Sequence, residues 1–309
     1  MDNSTTPTNQ TVNGTERAGS NSSKPSWLKV KAPGSPTYLE TKDIVKNLSL
    51  HTVCEEARCP NIGECWSHHT ATFMIMGDLC TRKCHFCAVK KGDNDTLQPL
   101  DPFEPERVGI AVKELKLTHA VITSVDRDDY TDNGARHFVK TVEAIKHHAP
   151  KCRIELLIPD LQGSRKDLET IMASGIDVLN HNIETVPRLY RKVRPGAGYI
   201  RSLSILRWAK EADKSCLTKS GIMVGLGESV EEVLSLMDDL RDAFVDIMTI
   251  GQYLRPSERQ APVRRYVTPD EFKFLEKEGL ARGFRYVESG PLVRSSYHAW
   301  KHTVDSPTA

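Results

Sequence analysis

Cys80-Thr81-Arg82-Lys83-Cys84-His85-Phe86-Cys87 decides how this chain folds and works. It gathers three thiols in one short loop, just after the apolar run Phe73–Met76, a candidate strand. Three thiolates at this spacing can wrap three corners of a cubane iron–sulfur cluster, and so short a loop offers no fourth. An iron left without a protein ligand is open to substrate or cofactor, and an open metal site is a chemical one. With His85 the same residues can also be read as a structural zinc knot, although zinc sites normally pair two knuckles across a longer gap.

Downstream, five more apolar runs follow as candidate strands: Ala120–Ser124, Ile154–Ile158, Val178–Asn182, Gly221–Val224 and Met248–Tyr253. Amphipathic segments near 105–117, 135–148, 166–174, 202–213 and 229–243 fall between them, and a last helix is expected near 269–282. Ser229 with Glu232, and Thr268 with Glu271, are spaced as capping boxes, with Pro269 at a first helical turn. Strand–helix repeats of this kind predict an α/β fold with parallel strands and helical crossovers. Six units are too few to close an eight-fold barrel, so a partial (β/α)6 barrel of the TIM type is expected. An N-terminal extension precedes it and a C-terminal helical extension follows. Cys80, Asp126, Asp160, Asn182, Glu228 and Gln252 come just after the strands, at the mouth where such folds place chemistry.

Upstream, Cys54-Glu-Glu-Ala-Arg-Cys59-Pro-Asn-Ile-Gly-Glu-Cys65 repeats the theme with spacing C-x4-C-x5-C. Two sets of three imply two clusters, each short of one ligand; one zinc shared between the sets is the alternative. His51, His68 and His69 lie close by in sequence. Cys152 and Cys216 stand alone and read as core or surface thiols. Cysteines clustered in this way mark metal or redox chemistry in a reducing compartment, not a disulfide scaffold.

Composition narrows the class. Hydrophobic residues make up 39% and charged residues 27%, the range of a soluble globular protein. A net charge of +1 provides no field for a phosphate backbone, so no nucleic-acid partner is expected. No apolar run approaches the roughly 18 residues of a membrane span. Residues 1–24 are rich in Ser, Thr, Asn and Gly and read as a disordered tail. They lack an apolar signal core, and Asp2, Glu16 and scarce Arg argue against a transit peptide. A cytoplasmic location is the default expectation.

The C-x3-C-x2-C spacing, with Phe86 before the third cysteine, resembles the signature of the radical S-adenosylmethionine superfamily. The upstream C-x4-C-x5-C set in this order is similar to the lipoyl synthase family. The likeness continues through Ala71-Thr-Phe-Met-Ile-Met76, Thr123-Ser-Val-Asp-Arg-Asp-Asp129, Asn180-His-Asn-Ile-Glu-Thr-Val-Pro187 and Val193-Arg-Pro-Gly-Ala197. Further matches are Thr218-Lys-Ser-Gly-Ile-Met-Val-Gly-Leu-Gly-Glu228, Gly251-Gln-Tyr-Leu-Arg-Pro256 and Arg294-Ser-Ser-Tyr-His-Ala299. The organisation this implies is a tail (1–24), an extension with an auxiliary cluster motif (25–70), a radical S-adenosylmethionine partial barrel (71–260) and a C-terminal extension with a serine ligand motif (261–309).

The resemblance implies a sulfurtransferase with two [4Fe-4S] clusters and S-adenosylmethionine as cofactors. Cys80, Cys84 and Cys87 would hold the cluster that cleaves S-adenosylmethionine to an alkyl radical. Cys54, Cys59 and Cys65, with Ser296 at the second serine of the C-terminal motif, would hold a cluster that donates sulfur. Two sulfur atoms would enter an octanoyl-lysine at carbons six and eight. Those carbons carry no acidic proton and are not electrophilic, so acid–base or nucleophilic catalysis has no handle on them. No ordinary catalytic side chain is therefore expected. Implied partners are octanoylated lipoyl carrier domains (the acyltransferase subunit of 2-oxoacid dehydrogenases, the glycine cleavage H protein), a ferredoxin or flavodoxin, and a cluster-rebuilding protein.

Candidate S-adenosylmethionine contacts are Phe86, Ser124, Asp126, Glu155, Asn180, Asn182, Gly225 and Glu228. Gly221-x-Met-x-Gly225-x-x-Glu228 resembles the superfamily element beside the adenine, though a tight strand-to-helix turn explains it equally. Asn180 and Asn182 can hold ribose hydroxyls or a carboxylate, or can simply form a turn. Glu155 is a carboxylate inside an apolar strand, which needs a polar partner. Arg191, Lys192 and Arg194 read as a solvated face, or as a docking surface for an acidic carrier. A tRNA methylthiotransferase would carry an added basic domain, which this length and charge do not provide. A non-enzymatic iron–sulfur carrier or zinc module would not need the barrel.

Overall fold

The computed structural model describes residues 24–30, 33–67, 71–93, 95–299 and 301. Of the segment 1–24, read above as a disordered tail, all but Lys24 lies outside these residues, as do His68 and His69.

A short 3-10 turn, Ser26–Leu28, buries Leu28. α1 (Pro36–Asn47) begins at Ser35, whose hydroxyl accepts the Tyr38 N–H, with proline at the first helical position. β1 (His51–Thr52), α2 (Val53–Glu56) and α3 (Ile62–Ser67) then carry the upstream cysteines. Trp66 of α3 is fully buried against Tyr38, their rings 5.3 Å apart.

The barrel follows: β2 (Thr72–Ile75), β3 (Leu79–Cys80), β4 (Lys90–Lys91), α4 (Glu104–Glu114), β5 (His119–Ser124), α5 (Ala135–His148), β6 (Arg153–Leu157), α6 (Arg165–Met172), β7 (Val178–Asn180), α7 (Pro187–Val193), α8 (Tyr199–Ala212), β8 (Leu217–Val224), α9 (Val230–Asp242), β9 (Ile247–Gln252), α10 (Pro269–Ala281) and β10 (Tyr286–Gly290). The main sheet runs β1-β2-β5-β6-β7-β8-β9-β10. All neighbours are parallel except β1, which pairs antiparallel with β2. β2 and β9 are buried at every position, because parallel strands are covered on both faces. The helices supply the outer cover with stripes such as Val233, Leu236, Met237 and Leu240 of α9. Both expected capping boxes form, at Ser229–Glu232 and Thr268–Glu271.

The six expected strands are β2, β5, β6, β7, β8 and β9, so the partial barrel stands. The C-terminal extension is not wholly helical, however. After α10 the chain adds β10, which pairs with β9 from Tyr286↔Ile247 to Gly290↔Gly251. Tyr-Val-Glu-Ser-Gly buries only Val287, so no apolar run announces it; the open edge of β9 recruits it.

Candidate functional site

The first cysteine loop is clamped from four sides. Thr81 N–H donates to the Asp126 carbonyl (3.0 Å), His85 N–H to the Val193 carbonyl (2.9 Å), and Ala261 N–H to the His85 carbonyl (2.8 Å). Arg82 contributes most. It is 6% exposed and binds Asp128 with two nitrogens (2.6 and 2.9 Å) and Asp160 at 2.8 Å. Burial opposes ionisation of Asp160, but Arg82 outweighs it and holds that carboxyl at about 2. The loop is thereby tied to the segments after β5, β6, β7 and β9. Burial pushes the Cys80 thiol to about 12 and Cys84 to about 11, and raises Cys87 as well. Without metal these thiols are protonated near neutral pH, so iron must displace protons to bind.

The second triad is assembled from separate segments. Cys54 lies in α2 and Cys65 in α3, and Cys59 in the turn between donates its N–H to the Cys54 carbonyl (3.0 Å). Burial raises all three thiols, Cys54 to about 11 and Cys65 to about 12. The C-terminal motif docks onto this unit. Asn61 Nδ2 donates to the Leu292 carbonyl (2.7 Å), and the Tyr297 hydroxyl donates to Glu64 (3.2 Å). The Asn61 main chain and, to a lesser degree, the nearby Arg294 guanidinium counter only part of the effect of burial on Cys59. Ser296 Oγ accepts the Thr72 hydroxyl at 2.9 Å, and the Thr72 main-chain N–H is directed at the Cys54 sulfur.

One cavity of about 570 Å³ joins the two regions. Cys80, Cys84 and Cys87 line it, and so do Val53, Ala57, Arg58, Pro60, Arg294 and Ser295 of the second region. Cys54, Cys59 and Ser296 are sequence neighbours of wall residues Val53, Arg58 and Ser295. Met74, Val125, Leu157, Ile158 and Met223 make the rest of the wall largely apolar. Ser124 Oγ and Asn182 Oδ1 are buried in it without a hydrogen-bond partner, which fits a polar ligand there. The buried Trp66 indole N–H also completes no hydrogen bond and lies beside the Cys54 sulfur, a donor suited to a sulfur-rich cluster. Among the described residues no three His, Cys, Asp or Glu side chains converge on a point that would hold a single metal ion.

The eight candidate S-adenosylmethionine contacts divide evenly. Phe86, Ser124, Asp126 and Asn182 line the cavity. Glu155, Asn180, Gly225 and Glu228 do not, and each has a structural employment. Glu155 is 1% exposed and pairs with the buried Lys219 (3.0 Å), with His119 and Asn180 completing the network at 3.3 and 2.8 Å. Its partner is thus another side chain; Asn180 spends its Nδ2 on the same network, while its buried Oδ1 has no hydrogen-bond partner. Glu228 folds back to accept the N–H groups of Gly225, Leu226 and Gly227 (2.5, 3.0 and 3.1 Å). Gly225 has φ +101°, and a Cβ there would collide with the Gln252 side chain. The strand-to-helix turn alone accounts for both residues.

Other cavity residues escaped notice. Arg194, grouped above with a basic run, is 9% exposed, lines the cavity, and donates to the Asn182 carbonyl and the Tyr190 hydroxyl, both at 2.9 Å. Arg191 and Lys192 are exposed, so only two of the three form a solvated face. Glu184 also lines the cavity, and burial raises its carboxyl. The clue available in sequence was Pro195-Gly196 directly after Arg194, which ends α7 and leaves Arg194 at its C-cap.

Comparison with known proteins agrees with this layout. Residues 74–240 match the radical SAM superfamily model, and residues 2–59 match the model for the N-terminal domain of lipoyl synthase. Lipoyl synthase of Rubrobacter xylanophilus is 57% identical over 92% of this chain and 87% of its own. That of Koribacter versatilis is 56% identical over 89% and 90%. Among solved structures, methylornithine synthase has a TM-score of 0.50 at 16% identity, covering 80% of this chain and 81% of its own. Streptococcus suis SuiB bound to S-adenosylmethionine has 0.55 at 13%, covering 75% and 54%. At such identities these two structures establish the barrel alone. The relatives at more than half identity along nearly the whole length establish more: this chain belongs to the lipoyl synthase family of the radical S-adenosylmethionine superfamily.

Proposed function

We propose that the chain converts a protein-bound octanoyl-lysine to the lipoyl group by inserting sulfur at carbons six and eight, as a radical S-adenosylmethionine sulfurtransferase. The observation that carries this is the single cavity shared by the two cysteine regions. An aliphatic chain lying in its apolar interior would meet wall residues of both regions. When bound, the cluster of the Cys80 loop with S-adenosylmethionine supplies a hydrogen-abstracting alkyl radical, and the second cluster supplies the sulfur.

The chain's own residues hold, orient and exclude water. Cys80, Cys84 and Cys87 hold the first cluster; Cys54, Cys59, Cys65 and Ser296 hold the second. Ser124 and Asn182, with unspent hydrogen-bonding capacity, take polar groups of S-adenosylmethionine, with Asp126 beside them and Phe86 as an apolar wall. Arg194, a buried cation in the cavity wall, suits a carboxylate. Arg82 keeps the loop in register with the strand ends. Met74, Val125, Ile158 and Met223 keep water from the reacting carbons.

The substrate is carried by a lipoyl carrier protein. Family membership supports the acyltransferase subunit of 2-oxoacid dehydrogenases and the glycine cleavage H protein as carriers, ferredoxin or flavodoxin as reductant, and a separate protein that rebuilds the consumed cluster. The described residues include no helix long and apolar enough to cross a membrane. Anaerobic reconstitution followed by reaction with an octanoylated carrier peptide tests the proposal. About eight irons per chain are expected for two cubanes, with two S-adenosylmethionine cleaved per lipoyl group formed. Cleavage without lipoyl product on any octanoylated carrier would refute it.

A further inference from the structure

We propose that Thr72 is a positioning residue of the second site: its hydroxyl fixes the Ser296 oxygen as a prospective iron ligand while its backbone abuts Cys54, so that one strand end sets the serine against the cysteines. This rests on Ser296 acting as the fourth ligand.

Thr72 is the first residue of β2 and is buried. Its hydroxyl donates to Ser296 Oγ at 2.9 Å across 224 residues of sequence, and its own N–H is directed at the Cys54 sulfur. Thr72 therefore reaches both the N-terminal triad's Cys54 and the C-terminal serine. Ser296 lies in a turn where Tyr297 N–H closes back on Arg294 and Ala299 N–H on Ser296, so its backbone is fixed but its hydroxyl is free to rotate. A donated hydrogen bond removes that freedom and selects one rotamer. Because Thr72 is the donor, the proton on Ser296 is not used in the bond and can leave to solvent when the oxygen binds iron. The resulting alkoxide would accept the same hydrogen bond more strongly, as charge-assisted bonds do. That bond also withdraws charge from the oxygen and weakens its hold on iron, which suits a corner that must open. Such outer partners orient ligands and tune metals generally.

The test uses the full chain reconstituted anaerobically with Mössbauer-active iron, in three variants: Thr72→Val, Thr72→Ser and Ser296→Ala. Thr72→Val keeps shape and volume but loses the donor. It is expected to shift the quadrupole doublet of the unique iron of the second cluster. Lipoyl product should fall roughly ten- to a hundred-fold, and reductive cleavage of S-adenosylmethionine much less. Thr72→Ser retains the hydroxyl and should restore doublet and product together. An unshifted doublet in Thr72→Val, beside a shifted one in Ser296→Ala, would overturn the role of Thr72 and leave Ser296 standing. An unshifted doublet in Ser296→Ala would instead remove Ser296 as a ligand. Equal damage in Thr72→Val and Thr72→Ser would mark a packing effect and also overturn the proposal.

Discussion

The two cysteine regions solve one problem by opposite routes. The first triad spans eight consecutive positions and sits on a loop whose shape is enforced by contacts to neighbouring segments, above all those of Arg82 with Asp128 and Asp160. The second is spread over α2, a turn and α3, with Thr72 at a strand end bonded to a C-terminal motif more than two hundred residues away that docks against this unit. A local site can keep its ligands together whatever happens at the far end of the chain. A composite site exists only when three segments dock, and each docking contact becomes part of its chemistry. If Ser296 holds the fourth corner as proposed, that corner is easier to open than one in a clamped loop, which suits a cluster that gives up sulfur.

The widest separation of the two regions is expected from the cysteines themselves. Replacing Cys80, Cys84 or Cys87 by Ala should abolish reductive cleavage of S-adenosylmethionine and with it all product. Replacing Cys54, Cys59 or Cys65 should eliminate lipoyl product but leave cleavage measurable. Cleavage assays on the six variants check this, and equal loss of cleavage in both sets would break the distinction.

A subtler separation tests whether the second site depends on docking. A Cβ at Gly251 would collide with the Val293 carbonyl oxygen and crowd the Arg294 guanidinium at 3.2 Å. Gly251→Ala should therefore push the C-terminal motif outward without touching Cys54, Cys59 or Cys65. Product is expected to fall by about a hundred-fold, the scale of an ångström's misplacement, with a smaller effect on cleavage. The ratio of product to cleavage is the quantity to measure; an unchanged ratio would show that the motif need not be so closely placed.

The smallest separation, none, is expected from Glu155→Gln, since Glu155 belongs to the barrel interior and to neither region. The substitution leaves Lys219 buried without its counter-charge and should cost about 3–5 kcal/mol of stability. Burial opposes the ionised form of Glu155, yet Lys219 holds its carboxyl at about 2 against an ordinary 4.5. A carboxyl depressed in the folded state adds stability that is complete above pH 4.5 and lost as pH falls through about 2. Thermal unfolding of the metal-free variant should therefore depend less steeply on pH in that window than the parent chain. The product-to-cleavage ratio of the folded fraction should be unchanged.

Sequence alone carried the features whose cause is local. Strand and helix periods repeat within a few residues, so the six-unit barrel and both capping boxes follow from the chain directly. The Cys80–Cys87 triad can be read from one short stretch, although the contacts that clamp its loop cannot. Which side chain faces which neighbour is a different matter, because it depends on register between segments far apart. Glu155 looked like a ligand-binding carboxylate because its partner, Lys219, is brought beside it only when β6, β7 and β8 pair. Arg194 looked solvated, yet at the end of α7 it lines the cavity. β10 carries too little apolar surface to declare itself and forms because β9 offers an open edge. Ser296 was legible by resemblance, but its hydrogen bond to Thr72 was not. Tertiary structure decided that contact, because only the closing of the sheet and the return of the C-terminal turn bring two hydroxyls 224 positions apart to 2.9 Å.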